Sequence, residues 1–124
     1  MPTLNYLLLA VANPRKSAEL YGKILDAEPV AASDTFILYA LQGGLKLGLW
    51  LKDEMLPMTG KPDGVDISFD AKTNDEVRAT YARWTALGLK VLQEPTDMDF
   101  GFTFTMADPD GHRLRVFALN DDPR

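Results

Sequence analysis

What this chain lacks limits the chemistry it could do. It has no cysteine, which removes disulfides, thiolate metal sites and a cysteine nucleophile, and it has a single histidine, His112. A divalent metal needs several N or O donors converging at about 2.0–2.3 Å. One histidine beside a turn reads first as a polar residue at the start of a strand. The remaining candidates are aromatic and charged. Trp50 ends a run in which Leu45, Leu47 and Leu49 share one face, so its indole belongs on the other face, away from a core. There it offers a rigid plane for stacking on a planar ligand, worth about 0.5–1.5 kcal/mol beyond its area burial, or it packs in a subunit interface. Gly48, two residues earlier on the same face, leaves room for a ring to approach the backbone. Arg113, Arg115 and Phe117 alternate with Leu114 and Val116. Arg115 therefore either points to solvent with Arg113, pairs with Asp66, or holds a ligand's polar groups. Asp66 as a base and Tyr6 as an acid each need a partner within hydrogen-bond reach of a substrate.

The elements that must position these residues repeat. Residues 4–11 read as a mostly buried strand. Asn13 and Pro14 then open a helix as N-cap and first helical residue, with Ala18, Tyr21 and Leu25 as its core stripe. Asp26 stands at its end, a place that needs a left-handed residue. Strands are expected at 36–41 and 45–51, separated by the turn Gln42-Gly43-Gly44, and 53–63 is a linker containing Pro57, Gly60 and Pro62. The pattern then begins again. A strand at 65–71 precedes Thr73-Asn74-Asp75-Glu76, which resembles a capping box. A helix follows with Val77, Tyr81 and Trp84 along one side, and Gly88 ends it. Strands at 89–92, 100–106 and Arg113–Leu119 complete the chain. Tyr6 to Tyr21 is matched by Asp66 to Tyr81, and Gly44-to-Leu47 by Gly111-to-Leu114. Two modules, about 1–54 and 64–124 with a linker at about 55–63, are each too small to be stable alone and must pack together as one domain.

Asp108-Pro109-Asp110-Gly111-His112 is a turn between two strands, with proline presetting φ and glycine accepting a positive φ. A hairpin of this kind near the C-terminus resembles the closing hairpin of the vicinal oxygen chelate superfamily, which includes glyoxalase I, extradiol dioxygenases and bleomycin-resistance binding proteins. The resemblance covers essentially the whole chain. It implies an α+β fold of two βαβββ modules, whose curved and mostly antiparallel sheets enclose a cleft completed by a homodimer. In metal-dependent members the ligands come from the first and last strand of each module, and those places fall here on Tyr6, Gly48, Asp66 and Arg115. A tyrosine, a glycine and an always-protonated guanidinium are not a metal site, so neither metal nor other cofactor is expected. The same family geometry turns Tyr6, Leu8, Gly48, Trp50, Asp66 and Ser68 toward the cleft. Phe36, Tyr39, Phe100, Phe102 and Phe104 could add aromatic lining, half of them facing away by alternation, and Met55 and Met58 could form a lid.

Among branches of the superfamily, the local texture is similar to the phenazine-antibiotic resistance proteins: Asn13-Pro14-Arg15-Lys16-Ser17, Glu28-Pro29-Val30, Leu49-Trp50 and Phe100-Gly101. In that likeness Trp50 is the ring-stacking residue. The expected function is therefore metal-free sequestration of a planar aromatic antibiotic or metabolite, a binding protein rather than an enzyme. The alternatives are a glyoxalase- or dioxygenase-like enzyme, which Tyr6, Gly48 and Arg115 oppose, metal-independent catalysis, and an accessory subunit. At 124 residues, 46% hydrophobic and 25% charged, the composition is that of a soluble globular domain. The net charge of −5 argues against nucleic-acid partners and suits neutral or cationic small molecules. No apolar run approaches the roughly 18 residues of a membrane span. No basic region precedes the first apolar run, so no secretory signal is expected, and the absence of cysteine fits the cytoplasm.

Overall fold

The computed structural model describes residues 1–62 and 64–120. Position 63 of the expected linker and positions 121–124 of the second module lie outside the described residues. The chain divides into two compact units, Met1–Gly60 and Lys61–Arg124.

In the first unit, β1 (Tyr6–Val11), α1 (Pro14–Leu25), β2 (Ala31–Ala32), β3 (Phe36–Ala40) and β4 (Lys46–Leu51) form one helix and a four-stranded sheet of order β1-β4-β3-β2. β1 runs parallel to β4, and the other two pairings are antiparallel. α1 begins where expected because Asn13 Oδ1 accepts from Lys16 N at 3.2 Å and Pro14 has no N–H to satisfy. It ends at Asp26, which adopts φ 50° and ψ 54°. The buried stripe is Pro14, Ser17, Tyr21 and Ile24. The expected stripe of Ala18, Tyr21 and Leu25 is thus displaced by one position on either side of Tyr21. The sheet turns Ile37, Tyr39, Leu47, Leu49 and Val11 inward, all of them buried. The two-residue strand β2 was not expected.

Tyr39 is fully buried, and its hydroxyl donates to Ala18 O at 3.0 Å. Burial first, and the Glu28 carboxylate second, raise its pKa above the ordinary phenol value of 10.0. The folded protein therefore holds this proton more tightly than the unfolded chain does. That stability is fully present below the unfolded value near pH 10 and is lost as pH rises through the folded value. Tyr39→Phe is expected to cost about 1 kcal/mol at neutral pH by removing the hydrogen bond. It should also flatten the alkaline loss of stability, as read by urea unfolding on either side of pH 10.

The second unit repeats the plan. β5 (Asp66–Asp70), α2 (Asn74–Ala86), β6 (Lys90–Met98), β7 (Gly101–Ala107) and β8 (Arg113–Leu119) give a sheet of order β5-β8-β7-β6, again with its first and last strands parallel. Thr73 Oγ1 accepts from Glu76 N at 3.1 Å, while Glu76 Oε2 accepts from Lys72 N at 3.2 Å, one residue before the reciprocal bond of a standard capping box. Val77 and Trp84 are buried on the sheet, and Trp84 meets the rings of Phe69 and Phe104 edge-on at 5.3 and 5.5 Å. β6 is nine residues long, where only 89–92 was expected. Pro95 interrupts the strand pattern, but β6 is the sheet edge, and the register shifts between Val91 and Gln93 and again between Gln93 and Thr96. An edge bulge needs no N–H from the proline.

The turn before β8 is held by Asp108, whose Oδ1 accepts from Asp110 N at 2.9 Å and His112 N at 2.8 Å. The motif that carried the family resemblance is therefore a structural device. Among the described residues no helix is long and apolar enough to cross a membrane.

Candidate functional site

Each sheet has one face under its helix and one face turned away from it, and the chemistry-bearing residues lie on the latter. In the first unit the register places Tyr6 beside Lys46, Leu8 beside Gly48 and Ala10 beside Trp50, with Phe36 on the other flank of Trp50. Paired residues share a face, so Tyr6, Leu8, Phe36, Gly48 and Trp50 are brought together. Trp50 is half-buried, and the Phe36 ring meets it edge-on with centroids 6.0 Å apart. Lys46 Nζ lies 5.1 Å from the Tyr6 ring centroid, close enough for a cation–π contact.

The expected open space over Gly48 is not there. A β-carbon at Gly48 would lie 2.7 Å from Leu8 Cδ2 and 2.9 Å from Phe36 Cζ. The missing side chain lets Leu8 and Phe36 close over the backbone, so ring access in this unit is to Trp50 and not to Gly48. Met58 is exposed on the chain beyond β4. Tyr39 faces α1 and does not line this surface.

In the second unit Asp66, Ser68 and Asp70 on β5 stand beside Arg113, Arg115 and Phe117 on β8. The even choice over Arg115 is decided in favour of the carboxylate: its Nε donates to Asp66 Oδ2 at 3.0 Å, and Arg113 Nε lies 2.6 Å from Asp66 Oδ1. Arg115 Nη1 also donates to Gln93 Oε1 and Thr103 Oγ1, both at 3.2 Å. Thr103 spends its own proton on Val116 O at 2.8 Å, and Thr105 Oγ1 reaches Gln93 Oε1 at 3.2 Å. The guanidinium is therefore locked in place, with its side chain 18% exposed. Ser68 is exposed next to it. Phe102 and Phe104 turn the other way, toward α2, where Arg78 stacks on Phe102 and Tyr81 and Trp84 meet Phe104. Phe100 contacts Phe117 on the open face at 6.3 Å between centroids.

Gln93, Thr103 and Thr105 were not anticipated. The strict alternation Phe102-Thr103-Phe104-Thr105-Met106 signalled polar residues on the face away from the helix and could have revealed the threonines. Gln93 lies at the bulge, where alternation carries no information.

The four places implied for metal ligands hold, in the first unit, Tyr6 and Gly48 and, in the second, Asp66 and Arg115. Gly48 has no donor, and Arg115 is a cation that takes up the one carboxylate. Among the described residues, no three His, Cys, Asp or Glu side chains converge. This donor set does not fit a divalent ion.

The chain is similar to known proteins throughout its length. The phenazine antibiotic resistance protein EhpR of Enterobacter agglomerans is 30% identical over 121 residues, which is 95% of this chain and 93% of that protein. A protein from Agrobacterium tumefaciens solved by solution NMR superposes with a TM-score of 0.89 at 40% identity, covering 97% of this chain and 99% of the other. A glyoxalase-related enzyme from Fulvimarina pelagi superposes with a TM-score of 0.83 at 23% identity, covering 95% and 88%, and so shares the fold. The family model for the glyoxalase/bleomycin resistance protein/dioxygenase superfamily matches residues 3–116, and with two βαβ-type units of one topology the chain belongs to that superfamily.

Proposed function

We propose that the protein binds and sequesters a planar aromatic compound of the antibiotic type, without a metal and as a homodimer. The observation that carries this reading is Trp50. It is a half-buried indole on the face turned away from the helix, braced edge-on by Phe36, with nothing in the core requiring it there. An aromatic plane held in this way can stack on a second one with little loss of its own freedom. The likeness to a phenazine antibiotic resistance protein supports a heteroaromatic ligand. The pairing of Arg115 with Asp66 supports the metal-free part, because the carboxylate that could have served a cation is bound by a guanidinium.

A tryptophan-fluorescence titration of chelator-treated protein with phenazines tests the reading, with Trp50→Phe as the control for emission from Trp84. Saturable quenching that disappears in the control is expected. Trp50→Ala should weaken binding by about tenfold or more, the equivalent of losing about 1.4 kcal/mol of stacking, while leaving the circular dichroism spectrum unchanged. No quenching, together with a stoichiometric divalent metal in untreated protein, would replace this reading with that of a metal-dependent enzyme. Sedimentation at micromolar concentration should give twice the chain mass.

A further inference from the structure

We infer that Gly48 is a positioning residue for ligand binding: Phe36 fills the space left by its missing side chain, and Phe36 so placed holds the indole of Trp50. This rests on the stacking role of Trp50 proposed above and adds the device that orients it. Gly48 lies within β4 without a positive φ, so backbone conformation does not require glycine there. In a strand interior glycine weakens packing and adds to the entropy lost on folding. What it provides is close approach. A β-carbon at Gly48 would lie 2.9 and 3.0 Å from Phe36 Cζ and Cε1, and 2.7 Å from Leu8 Cδ2.

The register makes the direction of Phe36 informative. On β3, Leu38 is the partner of Gly48, and Phe36 is the partner of Trp50. The Phe36 ring nevertheless reaches over Gly48, two residues along the same face, so it lies diagonally between the glycine and the indole. Trp50 has a partner on either flank. Ala10 on β1 offers a methyl group, whereas Phe36 offers a ring, edge-on with centroids 6.0 Å apart and planes at 85°. Phe36 therefore restricts how the indole turns, and the bare backbone at Gly48 sets how far down Phe36 can reach. Leu8 closes over the same spot, but its Cδ2 ends a flexible side chain and can rotate away. The phenyl ring is rigid, so a methyl group at position 48 lifts it as a unit and frees Trp50. The colliding atoms are side-chain ends on the open face, which leaves the strand pairing in place.

Gly48→Ala, Phe36→Leu and the double variant test this in the full chain. Near-UV circular dichroism without ligand reads the Phe36–Trp50 pair, and a phenazine titration reads the site. Gly48→Ala is expected to weaken phenazine binding between about twofold and tenfold, the fold-change for losing an edge-on aromatic pair. It should also lower the aromatic near-UV signal, with little change in the urea midpoint. Phe36→Leu should weaken binding by a similar factor. Adding Gly48→Ala to it should then change affinity little, because no ring is left to lift. Unchanged affinity and near-UV signal in Gly48→Ala, or single losses that multiply in the double variant, would overturn the inference and leave stacking on Trp50 standing. An affinity loss that simply follows a fallen urea midpoint would make Gly48 structural and overturn it as well. Failure of wild-type protein to bind phenazine would remove the aromatic-ligand reading, and the binding role of Gly48 with it.

Discussion

Trp84→Ala is expected to destabilise the protein by about 3–5 kcal/mol, the range for deleting a buried tryptophan side chain. Trp84 is 1% exposed and joins α2 to the sheet through Phe69 on β5 and Phe104 on β7. Its removal opens a cavity touching three elements at once, and rigid neighbours cannot close it. The indole N–H is buried with no hydrogen-bond partner among the described residues. Trp84→Phe therefore loses volume but also releases an unsatisfied donor, and it should cost well under half as much. Chemical denaturation of both variants checks this. Equal losses for the two would mean that the ring volume is not what holds the helix. The contrast with Trp50 is the useful one: the same deletion there is expected to weaken binding by about tenfold or more and leave folding intact.

Gly101→Ala is expected to cost about 3–5 kcal/mol, combining backbone strain with overpacking. Gly101 opens β7 at φ 156°, and a β-carbon there would overlap the carbonyl oxygen of Ala118 on the adjacent strand. The obstruction is backbone, so no rotamer change relieves it. β7 would have to move away from β8, and the register Gly101 to Leu119 would be the first pairing lost. Gly43→Ala serves as the comparison. Gly43 also has a positive φ, 76°, but nothing lies within 4 Å of its added β-carbon. It should lose only about 1–2 kcal/mol. Thermal unfolding of the two variants separates the backbone angle from the collision. A Gly101→Ala protein as stable as Gly43→Ala would show that the strand pair yields.

Both helices were legible because their starts are written in local chemistry: Asn13 with Pro14, and Thr73 with Glu76, satisfy orphan N–H groups within three residues. The repeat was legible for the same reason, as equal spacing survives when residue identity does not. β2 was not, since Ala31–Ala32 is an edge pair held only by its partner β3 and carries no pattern. β6 was expected only over 89–92 although it runs to Met98, because the register shifts after Val91 and again after Gln93 break the alternation that marks a strand. The α1 stripe was one position out because the small Ser17, buried against the sheet, is not apolar. At the candidate site, alternation put Trp50, Arg113, Arg115 and Phe117 on the faces they occupy. The space over Gly48 could not be read in this way, because it depends on the rotamers that Leu8 and Phe36 adopt on two other strands. Nor could the fate of Arg115, which is decided by a pairing between residues far apart in the chain.

In both sheets the strand made first is paired with the strand made last, β1 with β4 and β5 with β8. A nascent chain leaving the ribosome therefore cannot finish either sheet by adding strands in the order of synthesis. β1 must wait, unpaired along that edge, until β4 has emerged, and β5 waits until α2, β6 and β7 have been made and β8 follows. Such distant pairings are slow to form and leave apolar edges open meanwhile. Stalled synthesis before Arg113 would give a completed first sheet followed by an α2 hairpin unit with an orphan β5, a species that chaperones should bind and proteases remove.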